Sequence, residues 1–355
     1  MANCLLEGSL IFKPPMKKKI QIHTILIIQT AFIGDVILAT ALVEKLRRFY
    51  PESAIDFMCR KGNESVLDGN PHIRKVLVWD KKTEKYGHWR ELLREVKQQR
   101  YDLLVNLQRF ASMGLFTTLS KAKIKVGFRK NPFSTLFKYR VSHEVGDGTH
   151  EISRNQQLIL PWTDEKPCMP KLYPSEADKQ KIAEFQQGAY ICIAPASVWY
   201  TKQYPTEKWC DLIRHLDFKG KIYLLGAPND AELVNGIISE TNDSRLVNLC
   251  GKLSLLQSAA LMNGAMLNYV NDSAPLHLAS AMDAPVAAVF CSTIPQFGFG
   301  PLSSFKRIIQ IKESLSCRPC GLHGFKDCPK GHFDCAFKID TMQLVKALGD
   351  ARKLG

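Results

Sequence analysis

Apolar residues recur along this chain in two patterns. Some form short, nearly unbroken runs, such as Thr24-Ile-Leu-Ile-Ile28. Others return every third or fourth position over ten residues or more. The first pattern predicts strands of a parallel sheet covered on both faces; the second predicts helices packed on such a sheet. Strands are predicted at 22–28, 54–59, 75–79 and 102–107, with helices at 36–49 and 89–98. A second series follows, with strands at 189–194, 221–226, 266–270 and 286–290 and helices at 207–216, 230–240, 255–263 and 275–282. The βα alternation predicts an α/β protein with two doubly wound domains. Pro161, Pro167, Pro170 and Pro174 fall within 14 residues and mark the candidate linker, which divides the chain into 20–170 and 171–355. Residues 1–19 fit neither unit and are expected to be disordered.

Two strand-to-helix turns carry candidate chemistry. The first runs through Gly34-Asp35. In an open α/β sheet, ligands bind at the carboxyl ends of the strands, so the Asp35 carboxylate is placed to act as a base. Equally, it is placed to cap the helix predicted from Val36. The second turn is Asp272-Ser-Ala-Pro-Leu-His277. Pro275 suits a helix start, the small side chains of Ser273 and Ala274 let a ligand approach the backbone, and His277 follows one turn on. Such a helix start can hold a pyrophosphate. A third segment, Ser197 to Lys202, groups the Ser197 and Thr201 hydroxyls with the Lys202 ammonium, as a diphosphate would require; the competing reading is a solvated polar loop. Glu232, just past Gly226-Ala-Pro228, is a candidate ribose contact or a first-turn helix charge.

Charge changes the picture in one respect. Of the net +14, residues 1–170 hold +11. A basic first half points to an anionic partner: phosphorylated lipid, an anionic membrane face or nucleic acid. No RNP-like motif, finger spacing or heptad-linked basic region is present, which disfavours nucleic acid. No apolar run approaches the 18 residues of a membrane span, and Lys17-Lys18-Lys19 follows the N-terminal apolar patch instead of preceding it. A cytoplasmic protein is expected. Cys317, Cys320, Cys328 and Cys335 lie within 19 residues and form either a structural zinc site or a group of packed, reduced thiols.

Taken in order, Thr30-x-x-x-Gly34-Asp35, Leu107-Gln108, Val126-Gly-Phe128, His150-Glu-x-x-Arg154-Asn155, Ser197…Thr201-Lys202-x-x-Pro205, Gly226-Ala-Pro228 and Asp272-Ser-x-Pro-x-His277 resemble the ADP-heptose:lipopolysaccharide heptosyltransferases of glycosyltransferase family nine. The cysteine stretch is similar to the heptosyltransferase II branch. This resemblance implies a GT-B fold, in which two Rossmann-like domains face one another across a cleft. It implies inverting, metal-independent transfer from ADP-heptose to a phosphorylated Kdo–lipid A inner core, without a cofactor, at the cytoplasmic face of the inner membrane. Asp35 would be the base and Lys202 the diphosphate contact, and Ser197, Thr201, Glu232, Asp272, Ser273, Ala274 and His277 would complete the donor site. Thr30, Arg60, Lys61, Arg109, Arg129 and Lys130 are candidates for the acceptor. Relatives that carry Thr-Gly at the Ser273-Ala274 positions leave open a related transferase that uses another nucleotide sugar for a different surface glycan. A non-catalytic binding module driven by the basic half is a third reading, disfavoured by the presence of both donor and base motifs.

Overall fold

The computed structural model describes residues 21–83 and 85–353. The segment 1–19 expected to be disordered lies outside them. The first half contains β1 (Thr24–Ile28), α1 (Ile33–Phe49), β2 (Ala54–Arg60), β3 (Lys75–Trp79), α2 (Lys85–Gln99), β4 (Leu103–Asn106), α3 (Ala111–Leu119), β5 (Ile124–Phe128), β6 (Tyr139–Val141) and α4 (Glu151–Gln157). Its strands form one parallel sheet in the order β3-β2-β1-β4-β5-β6. The second half contains α5 (Glu176–Ile182), β7 (Tyr190–Ala194), α6 (Thr206–His215), β8 (Lys221–Leu224), α7 (Ala231–Thr241), β9 (Leu246–Asn248), α8 (Leu255–Gly264), β10 (Asn268–Asn271), α9 (Ala274–Ala281), β11 (Val286–Phe290), β12 (Lys306–Gln310), α10 (Asp334–Phe337) and α11 (Met342–Ala351). Its parallel sheet runs β12-β11-β10-β7-β8-β9.

Counted from its own first strand, each sheet has the order 3-2-1-4-5-6. Strand order therefore reverses beside β1 in one half, and between β7 and β10 in the other. Such switch points open a crevice at the carboxyl ends of the strands. The three segments singled out for their chemistry follow β1, β7 and β10, so the topology brings them to those two crevices.

α1 begins at Ile33 and not at Val36, because Phe32 is extended (ψ 166°) and acts as the cap residue, which draws Gly34 and Asp35 into the first turn. Four strands are not predicted from the sequence: β6 and β9 have three residues each, β12 reads Lys-Arg-Ile-Ile-Gln, and β5 is interrupted by Lys125 and Gly127.

Each half has a core of its own, and the largest cluster of buried apolar side chains spans both, taking Ile37 and Leu42 from α1 and Leu276 and Ala279 from α9. The segment just before and along α4 grips the loop after β11: Glu151 N–H donates to the Gly298 carbonyl (2.8 Å), Arg154 Nη2 to the Phe297 carbonyl (2.7 Å) and His150 Nε2 to the Gly300 carbonyl (3.0 Å). The proline-rich passage runs back along α1, where Lys45 Nζ donates to the Asp164 and Lys166 carbonyls. Among the described residues, no helix is long and apolar enough to cross a membrane.

Candidate active site

A cleft lies between the halves. Gly34 and Asp35 line it from the first half. Ser197, Lys202, Asp272, Ser273, Ala274 and His277 line it from the second.

Asp35 is the third residue of α1, and its Oδ2 accepts the Phe32 N–H at 3.2 Å. The cap and the cleft-facing carboxylate are therefore the same group. Burial raises its pKa to about 6, and the charge of Glu151 adds to the rise; the Phe32 N–H and the Arg109 guanidinium pull the other way. A carboxyl tuned to about 6 is ionised at neutral pH yet far more basic than an ordinary aspartate.

Glu151 belongs to a buried charge cluster. Its carboxylate meets His143 Nε2 at 3.1 Å and Arg154 Nε at 2.8 Å, while Arg109 Nη1 lies 3.4 Å from His143 Nδ1. Burial pushes the Glu151 carboxyl up, but His143 and Arg154 outweigh it and hold the pKa below its ordinary value.

Across the cleft, Lys202 Nζ pairs with Asp272 Oδ2 at 2.7 Å, and Thr293 Oγ1 donates to the same oxygen at 2.6 Å. Asp272 thus holds the ammonium in place. Ser273 caps α9 in an extended conformation, and Pro275 in the first turn has no N–H to satisfy. The Ser273 hydroxyl oxygen and His277 Nδ1 are buried with no hydrogen-bond partner. Orphaned polar atoms at a helix start, beside an ammonium, are the features an anionic ligand would satisfy. Burial pushes the His277 pKa down to about 4, against the opposing charge of Asp272, so its imidazole is neutral at physiological pH.

Other expected residues are placed differently. Thr201 is buried and turned away from the cleft; its Oγ1 accepts the Phe325 N–H at 2.7 Å and the Ser292 hydroxyl at 3.1 Å. Glu232 is exposed in the first turn of α7, outside the cleft lining. Thr30 is buried, and Lys81 Nζ donates to its carbonyl at 2.9 Å. Arg109 stands close enough to Asp35 to lower its pKa, and Arg60 lies over the ring of the cleft residue Phe32, 4.8 Å from its centroid. Lys61 pairs with Asp80 at 2.8 Å and Lys130 with Glu144 at 3.5 Å, and Arg129 is exposed.

The zinc expectation is not met: among the described residues, no three His, Cys, Asp or Glu side chains are grouped to hold a metal ion. The four thiols are nonetheless neighbours: burial pushes the Cys335 thiol up to about 12, and Cys320, Cys328 and Cys317 add to the rise. Cys335 is buried in the core of the second half, Cys320 Sγ donates to the Cys317 carbonyl, and Cys317 Sγ lies 3.9 Å from His332 Nε2.

The sequence reading also missed the apolar walls, formed by Phe32, Trp199, Ile294, Phe297, Phe299 and Leu322, and the polar residue His323. Periodicity carries no signal for residues in loops. The alternation Phe297-Gly-Phe-Gly300 after a predicted strand was the one available hint.

The model of glycosyltransferase family 9 (heptosyltransferase) matches residues 89–322. Lipopolysaccharide heptosyltransferase 1 of Pseudomonas aeruginosa is 23% identical over 313 residues, which cover 83% of this chain and 85% of that protein. The solved structure of Escherichia coli ADP-heptose lipopolysaccharide heptosyltransferase II is similar with a TM-score of 0.77 at 20% identity, over 94% of this chain and 100% of that one. The E. coli heptosyltransferase WaaC solved with ADP gives 0.70 at 18% identity, over 92% and 99%. The paired sheets are the GT-B fold, and the chain belongs to glycosyltransferase family 9, the heptosyltransferase family.

Proposed function

We propose that this protein transfers heptose from ADP-heptose to the phosphorylated Kdo–lipid A inner core of lipopolysaccharide, with inversion and without a metal. The observation that carries this reading is the shared cleft, with Asp35 on one wall and Lys202, Ser273 and His277 on the other. The names of the family relatives supply the substrate class.

In this reading residues 20–170 bind the acceptor and 171–355 bind the donor. Asp35 accepts the proton of the attacking acceptor hydroxyl as its oxygen bonds to the anomeric carbon. The bond from that carbon to the diphosphate oxygen breaks on the opposite face, which inverts the configuration. Negative charge grows on the departing diphosphate. Lys202, the Ser273 hydroxyl and the start of α9 stabilise it, with the neutral imidazole of His277 available as a hydrogen-bond donor. The entering diphosphate competes with Asp272 for Lys202, so Asp272 orients the ammonium and does not contact phosphate. Fixed positive charge and N–H dipoles take the role a divalent ion plays in other transferases.

Arg60 and Arg109 are proposed to meet acceptor phosphates and carboxylates at the cleft, with Lys61, Arg129 and Lys130 farther out. The net +11 of residues 1–170 supports peripheral attachment to an anionic leaflet on the cytoplasmic side. Mass spectrometry of the glycan formed from ADP-heptose and a defined lipid A–Kdo acceptor tests the assignment. A heptose-sized mass increase is expected. Transfer from UDP- or GDP-sugars alone would replace the donor.

A further inference from the structure

The cysteine-rich segment holds no grouped metal ligands, yet it is tied firmly to the donor side of the cleft. Thr201 N–H donates to the Phe325 carbonyl (3.1 Å), Phe325 N–H donates to Thr201 Oγ1 (2.7 Å) and Cys320 N–H donates to the Ser292 carbonyl (2.8 Å). Arg318 anchors the other end of the segment through the carbonyls of Phe290, Cys291 and Thr293. Gly324 has a φ of +75° and presses on the Lys202 side chain; a β-carbon there would lie 2.9 Å from Lys202 Cγ. The residue before it, His323, lines the cleft. Among the described residues its ring nitrogens have no hydrogen-bond partner.

We propose that His323 is a further donor-binding residue, whose imidazole, carried into the cleft by the tethered loop, binds the diphosphate of the nucleotide sugar beside Lys202. This rests on the donor reading above. The charged groups facing the ring are Lys202 after β7, Arg109 after β4 and Asp272 after β10. His323 is exposed at the cleft wall, and partial desolvation there, with Lys202 and Arg109 alongside, holds the free imidazole below its ordinary pKa, against the pull of Asp272. A diphosphate neutralises both cations and offers an acceptor, which favours the protonated ring. Donor binding then takes up a proton at His323, and affinity rises as pH falls. Thr201, which turns away from the ligand, has its role here as the tether of the loop.

Calorimetric titration with ADP near pH 6 and near pH 7.5 tests this. His323→Ala is expected to weaken ADP binding about tenfold near pH 6, the scale of one charge-assisted hydrogen bond, with a smaller loss near pH 7.5. His323→Gln is expected to recover part of the affinity without recovering the pH dependence. Comparing each variant with wild type at the same pH removes the titration of ADP itself, of Asp35 and of His277. Wild-type affinity in His323→Ala at both pH values would overturn the proposal and leave the donor reading standing. Failure of the wild-type protein to bind ADP would overturn both.

Discussion

Gly34 sits against the imidazole of His277: a β-carbon at position 34 would lie 2.6 Å from His277 Cδ2 and 3.3 Å from Nε2. This contact joins the first turn of α1 to the first turn of α9, so the helix bearing Asp35 and the helix facing the donor are in register only if residue 34 has no side chain. Gly34→Ala is expected to displace the ring, to cost about 1–3 kcal/mol of stability as an overpacked site does, and to lower kcat more than it raises the KM for donor. Thermal unfolding and steady-state kinetics check this. Unchanged kinetics would mean that the two helix starts are not held in a functional register.

Asp35 makes a signed prediction about pH. As base it must be ionised, so kcat/KM should fall below pH about 6, the value to which burial raises the carboxyl. The folded state holds this proton more tightly than the unfolded chain does. The stability of the protonated form is present below the ordinary value of 3.8 and is lost as pH rises through about 6. Asp35→Asn should therefore raise the melting temperature at pH about 7.5 and have little effect near pH 4. A melting temperature that drops at neutral pH would show the carboxylate to be stabilising, as a simple cap would be.

Legibility in the sequence followed the physics of each signal. The strands β1, β2, β7 and β11 are nearly continuous apolar runs, so their positions and the doubly wound pattern could be read directly. Asp35 and Lys202 follow such strands, and His277 follows the shorter β10, each at a glycine- or proline-marked turn, which is why they were found. A hydroxyl beside a lysine, such as Thr201, reads alike whether it faces a ligand or the protein; only the fold reveals the Phe325 N–H bonded to it. Glu232 reads alike in the sequence as a ribose contact or a helix-dipole charge, since an acidic first turn serves either. The cysteines were legible as a cluster, but the directions of their thiols depend on packing that spacing does not encode. Phe297, Phe299 and His323 lie in loops, where no periodic pattern marks burial or the cleft.

Lys202 and Asp272 form a pair whose members should have unequal effects. Lys202→Ala removes the diphosphate contact and leaves a buried carboxylate with only the Thr293 hydroxyl for company. ADP affinity is expected to fall about 10- to 100-fold, with a lower melting temperature. The double variant Lys202→Ala with Asp272→Asn should recover the melting temperature but not the affinity. Equal recovery of both would remove Lys202 from phosphate binding.

Arg154 joins the halves through the Phe297 carbonyl and neutralises Glu151, and both side chains are almost fully buried. Arg154→Ala leaves Glu151 charged and under-paired, with an expected loss of about 3–5 kcal/mol. Denaturant unfolding measures it. A loss below about 1 kcal/mol would mean that the cluster is solvated and does not hold the cleft together.

The opposed placement of base and donor site is tested most directly by measuring ADP binding and heptose transfer side by side in Asp35→Asn. ADP affinity within about twofold of wild type, together with a loss of turnover of at least about 10²-fold, is the predicted result. Turnover near the wild-type rate in a variant that still binds ADP would contradict the assignment of Asp35 and the two-walled mechanism built on it.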